Sequence, residues 1–102
     1  MPEQLKIVEG SALTAQQKKD LLNRLARIEG QLRGVQKLIA MAADPSDCDA
    51  VAQQMAAARK ALDRSFVQLL MATVVTGSEQ AGNVEEARAT AARLAALLDK
   101  FA

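Results

Sequence analysis

The sequence predicts an all-α protein of three helices, and three observations carry that prediction. Apolar residues recur at spacings of three and four along three stretches. Each stretch opens on a Thr, Ser or Asn followed three residues later by Gln, Asp or Glu. No segment alternates apolar and polar residues as a half-buried strand does. At 102 residues the chain is too short for two independent cores, so one domain is expected.

Residues 1–13 hold no sustained period and read as a mobile N-terminal arm before a single helical domain at 14–102. Thr14 with Gln17 offers a capping box, which opens a first helix expected over about 15–42. Its apolar stripe is Leu21, Leu25, Ile28, Leu32, Val35 and Ile39. At about 100° per residue these side chains fall within roughly 80° of arc, a seam suited to burial against neighbouring helices. The remaining arc is basic: residues 16–41 hold Lys18, Lys19, Arg24, Arg27, Arg33 and Lys37 against only Asp20 and Glu29. A bundle helix that displays guanidinium groups points to a partner made of phosphates.

Asp44-Pro45-Ser46 breaks the first helix, and Ser46 with Asp49 marks a second start, giving a helix expected over about 47–76. Val51, Met55, Ala58, Leu62, Phe66 and Leu69 share one of its faces. Ala52, Ala56, Val67, Leu70 and Val74 widen the apolar surface sideways, so this helix needs neighbours on two sides. Thr76 through Gly82 reads as a polar turn. Asn83 with Glu86 then opens a third helix at 84–101, striped by Ala87, Ala91, Leu94, Leu98 and Phe101.

Half of the residues are hydrophobic, yet two Phe are the only aromatic side chains, so Leu, Ile, Val, Met and Ala must build the core. So thin a core favours oligomerisation. The net charge is only +1, and nucleic-acid binding therefore has to come from local clusters summed over several subunits. No apolar run of about 18 residues suits a bilayer, and no basic-then-apolar leader is present. Cys48, the single cysteine, excludes an intrachain disulfide and fits a reducing, cytoplasmic location.

The stretch Leu22-Asn23-Arg24-Leu25-Ala26-Arg27-Ile28-Glu29-Gly30-Gln31-Leu32-Arg33-Gly34 is followed by Cys48. Gln54-Met55-Ala56-Ala57-Ala58-Arg59-Lys60-Ala61-Leu62-Asp63-Arg64 comes after it. Together these closely resemble the CsoR/RcnR/FrmR family of bacterial repressors, over roughly residues 17–100. The resemblance implies a three-helix protomer that forms an antiparallel four-helix-bundle dimer and pairs again into a flat tetramer, a dimer of dimers. It implies a metal-sensitive-regulator homologue that binds double-stranded operator DNA without a helix-turn-helix, and that an effector at a Cys-centred site between subunits releases.

Family DNA contacts match Arg27 and Arg64 here, with Arg24, Gln31 and Arg33 as neighbours. Arginine suits that role because its planar fork meets phosphate oxygens bidentately and keeps its charge at any cellular pH. Gly30 and Gly34, four residues apart on the polar side of the first helix, leave room for a helix or a DNA backbone.

At the effector site the sequence departs from its relatives. Copper sensors of the family pair the cysteine matching Cys48 with a His and a Cys of the partner subunit, and those places hold Thr73 and Gly77 here. The three positions share one side of the second helix. Twenty-five residues at about 1.5 Å each put Cys48 roughly 37 Å from Thr73, so only an antiparallel twin could unite them. With no His and one Cys, the chain lacks the three soft ligands of Cu(I) and the N/S tetrahedron of Zn²⁺. Cys48 is the sole metal-ligand candidate, and neither a metal nor another cofactor is expected. Relatives that sense formaldehyde or reactive sulfur use this cysteine with an N-terminal amine or a second Cys. Pro2 would supply a secondary amine after loss of Met1, although the arm here is longer than in the formaldehyde sensors.

Two other readings compete with the repressor. One is a ligand-free helical scaffold or adaptor. The other is a chorismate-mutase-like helical enzyme, which needs several cations converging on one buried cavity. Arg27, Arg33 and Lys37 point away from the apolar seam, so no enzymatic activity is expected.

Overall fold

A computed structural model describes residues 5–101. It contains three α-helices, α1 (Ala15–Met41), α2 (Pro45–Gln80) and α3 (Val84–Phe101), and no strand among the described residues. Thr14 and Gln17 form the capping box of α1: Thr14 Oγ1 accepts from Gln17 N at 3.1 Å, and Gln17 Oε1 accepts from Thr14 N at 2.8 Å. Both otherwise orphaned donors at this helix start are thereby satisfied.

The second helix is longer than its pattern suggested, beginning before residue 47 and ending after residue 76. Its start lies at Asp44 rather than Ser46, because Pro45 occupies the first helical position, where a missing N–H costs nothing. Asp47 Oδ2 then accepts from Ala43 N at 2.9 Å and Asp44 N at 3.0 Å. These two bonds hold the Asp47 carboxyl below its ordinary pKa of 3.8. At the other end the helix runs through Gly77 to Gln80. It does so despite the roughly 1 kcal/mol that glycine costs inside a helix, and the residue before it is firmly anchored. Thr76, only 1% exposed, donates from Oγ1 to Gln17 Oε1 at 2.8 Å. Asn83 caps α3 by accepting from Glu86 N at 2.9 Å.

Residues 5–13 carry no helix or strand. This part of the expected mobile arm is tied to the helices, with Lys18 Nζ donating to the Val8 carbonyl.

Because residues 42–44 connect α1 to α2 so briefly, the two helices form an antiparallel hairpin, closed at its far end by the Thr76–Gln17 bond. The third helix folds back along the C-terminal part of α2, and its backbone does not approach that of α1. The molecule is therefore one layer of helices, 60 × 32 × 13 Å, with a radius of gyration of 18.0 Å. A compact chain of this length would measure about 13 Å.

A single layer buries little. Of the six apolar residues striping α1, Leu21, Ile28 and Val35 are buried, whereas Leu25, Leu32 and Ile39 remain 38, 48 and 54% exposed. The seam is thus divided along its length. Its two rows each repeat every seven residues, and only one row faces α2. Met55, Leu62 and Leu69 of α2 are exposed beside the open row, while Val67, Met71 and Val75 are exposed about half a turn around the same helix.

Candidate functional site

Two recesses gather polar chemistry. The first is a shallow basic recess of about 200 Å³ between α1 and α2, lined by Arg24, Arg27, Ile28, Gln31, Ala61, Arg64 and Ser65. Arg24, Arg27 and Gln31 follow one another at spacings of three and four, so α1 presents them on one flank. Arg64 comes from α2, brought opposite by the antiparallel hairpin. Ala61 is small, and Ser65 turns its hydroxyl back to the Ala61 carbonyl at 3.1 Å, which leaves space between the helices. No acidic residue lines this recess, and all three arginines are exposed. Three guanidiniums so placed form a concentrated positive patch on a chain of nearly zero net charge.

Four of the five residues singled out for DNA contact, Arg24, Arg27, Gln31 and Arg64, therefore share one recess. Arg33 does not line it. Six residues beyond Arg27, it projects about 120° farther around α1.

The proposed effector residues are spread along α2. Cys48 is exposed near its start, and Thr73 and Gly77 lie near its end. Pro2 lies outside the described residues. Thr73 Oγ1 donates to the Leu69 carbonyl at 2.8 Å. A Cβ built at Gly77 would stand 2.6 Å from Thr90 Cγ2, so a methyl of α3 takes the space that a side chain at 77 would need. No group of three His, Cys, Asp or Glu able to hold a metal ion occurs among the described residues.

Thr73 and Gly77 line a second recess of about 330 Å³, together with Ser11, Ala12, Gln80, Ala81, Glu86, Thr90 and Arg93. Glu86 is held there by its own turn, Oε2 accepting from Gly82 N at 2.6 Å. Sequence reasoning missed Ser11, Glu86, Thr90 and Arg93 as functional candidates. Glycine at 77 was the available signal, because a residue without a side chain in mid-helix marks a close neighbour.

No described helix is long and apolar enough to cross a membrane. A family model described as metal-sensitive transcriptional repressor matches residues 17–100 of the chain. No curated protein and no solved structure matches it.

Proposed function

The chain belongs to the metal-sensitive transcriptional repressor family, and from that premise we propose that it represses transcription by holding operator DNA on arginines pooled from several copies. The observation that carries this reading is the convergence of Arg24, Arg27 and Arg64, with Gln31, on one acid-free recess. Phosphate neutralisation supplies most of the affinity of such an interface, and arginine forks supply its geometry. One protomer offers three such guanidiniums. Several copies are needed for a surface that competes with salt.

The single layer of helices supports assembly into an oligomer. One sheet of helices cannot cover both of its own faces, and both are apolar here. Leu25, Leu32, Met55 and Leu62 border two adjoining apolar grooves of about 520 and 530 Å³. A second copy laid antiparallel over these grooves completes a four-helix bundle, and Val67, Met71 and Val75 remain for pairing of dimers. The same antiparallel arrangement carries Cys48 of one copy toward Thr73 and Gly77 of the other.

The family's metal chemistry does not fit the residues at that corner. Position 77 has no side chain and its space is filled, and the Thr73 hydroxyl is a poor partner for a soft ion. Release from DNA is therefore assigned to a non-metal effector acting at or near Cys48, in a cytoplasmic protein without catalytic activity. The mutase reading loses support because the three clustered arginines line an open recess instead of an enclosed cavity.

Selection of bound duplexes from a randomised pool, followed by footprinting, tests the proposal. Enrichment of a defined site by oligomeric protein is expected. Absence of any retained duplex at low salt would overturn it.

A further inference from the structure

The recess around Thr73 and Gly77 has a lining that matches a different class of ligand from the ions its relatives sense. It holds one cation, Arg93, and one anion, Glu86, both on α3, with the hydroxyls of Ser11, Thr73 and Thr90 between the arm, α2 and α3. At about 330 Å³ it lies at the small end of the range for organic ligands. We propose that this recess binds a small zwitterion of amino-acid size, its carboxylate on the Arg93 guanidinium and its ammonium on the Glu86 carboxylate.

The charge balance selects the class. A phosphate or sulfate would meet one guanidinium and be repelled by Glu86, and a bare amine would meet the reverse. Only a molecule carrying both charges satisfies both groups. Seven residues separate Glu86 from Arg93, so the two rise from one face of α3 about 10 Å apart along its axis. Glu86 Oε2 already accepts from Gly82 N, which leaves Oε1 as the atom to take a ligand's ammonium. The hydroxyls can serve the remaining lone pairs and protons of such a ligand. Thr73 Oγ1 donates to Leu69 O and keeps its lone pairs for an incoming N–H.

The recess also bridges three elements. Ser11 belongs to the arm, Thr73 and Gly77 to α2, and Thr90 and Arg93 to α3. A ligand seated there ties all three together at the end of α2 where an antiparallel partner would bring Cys48. If the repressor reading holds, as this last step requires, occupancy of the recess changes DNA affinity.

The test is an amide NMR titration of the full-length protein with each proteinogenic amino acid in turn, and with acetate and ethylamine as single-charge probes. At least one amino acid is expected to give saturable shifts at Thr73, Gly77, Thr90 and Arg93. Arg93→Gln and Glu86→Gln, checked for unchanged helix content, should each weaken it about tenfold or more. Lack of saturable binding by every amino acid overturns the assignment, as does equal affinity in the two variants or acetate binding as tightly as the best amino acid. DNA retention is measured separately on ligand-free protein. Failure there would sink the repressor reading while leaving the zwitterion site standing.

Discussion

Thr76 and Gln17, 59 residues apart, are joined by a 2.8 Å hydrogen bond from the threonine hydroxyl to the side-chain oxygen that also caps α1. One amide oxygen thus serves both the local start of a helix and the closure of the α1–α2 hairpin. Thr76→Val keeps the shape of the side chain and removes the donor. The variant should lose about 1 kcal/mol of stability, read as a lower urea midpoint with unchanged slope. An unchanged midpoint would show that this contact contributes nothing.

Gly77 and Thr90 make a second test of packing. Gly77→Ala places a methyl 2.6 Å from Thr90 Cγ2, a separation at which the Thr90 side chain or the helix that carries it must give way. Overpacking of this kind costs about 1–3 kcal/mol, offset by roughly 1 kcal/mol of improved helix propensity. The single variant should therefore be destabilised, and adding Thr90→Ser should restore or exceed wild-type stability. A stabilised single variant would contradict the close approach.

Asp47 gives the start of α2 a pH dependence. Bonds from the Asp44 and Ala43 amides favour its ionised form, so its folded pKa lies below 3.8. Those bonds are intact above the unfolded value and are lost as pH falls through the folded one. Carboxyl NMR should find a midpoint below 3.8 for Asp47, with amide exchange at residues 45–48 rising beneath it. A midpoint at or above the ordinary value would contradict the capping geometry. Asp47→Asn should abolish this transition.

The legible parts of this fold were the local ones. Thr14, Gln17, Asn83 and Glu86 announce their helix starts because a cap is a contact between residues three apart. The continuation of α2 past Gly77 was illegible, since it depends on Thr76 meeting Gln17 and on Thr90 filling the space beside the glycine. Likewise the stripe on α1 revealed which residues are apolar, but not that alternate members are buried against α2 and left exposed. For the candidate site, spacing grouped Arg24, Arg27 and Gln31, and the resemblance to known repressors added Arg64. Periodicity alone could not relate α1 to a residue on α2, nor show that Arg33 lies outside the recess that Arg24, Arg27, Gln31 and Arg64 share. The recess bearing Arg93 depends on tertiary contacts throughout, and no sequence pattern marked it.

Cys48 is exposed on α2, where a thiol-directed effector can reach it. Cys48→Ser should fold and bind DNA as the wild type does, yet fail to release when formaldehyde or a persulfide donor is added. Mass spectrometry of the wild-type protein should then locate the adduct on residue 48. Release that persists in the serine variant would move the thiol-dependent signal elsewhere.

The proposal that several copies pool their arginines against DNA is tested most directly by the salt dependence of binding to a selected duplex. Wild-type protein should lose affinity steeply as salt rises, with a log–log slope of about −0.9 for each phosphate neutralised. Arg27→Ala and Arg64→Ala should preserve the oligomer, weaken binding, and each flatten the slope by about 1 per contact removed. Undiminished affinity and an unchanged slope in both variants would contradict the account, whatever the protein proves to bind.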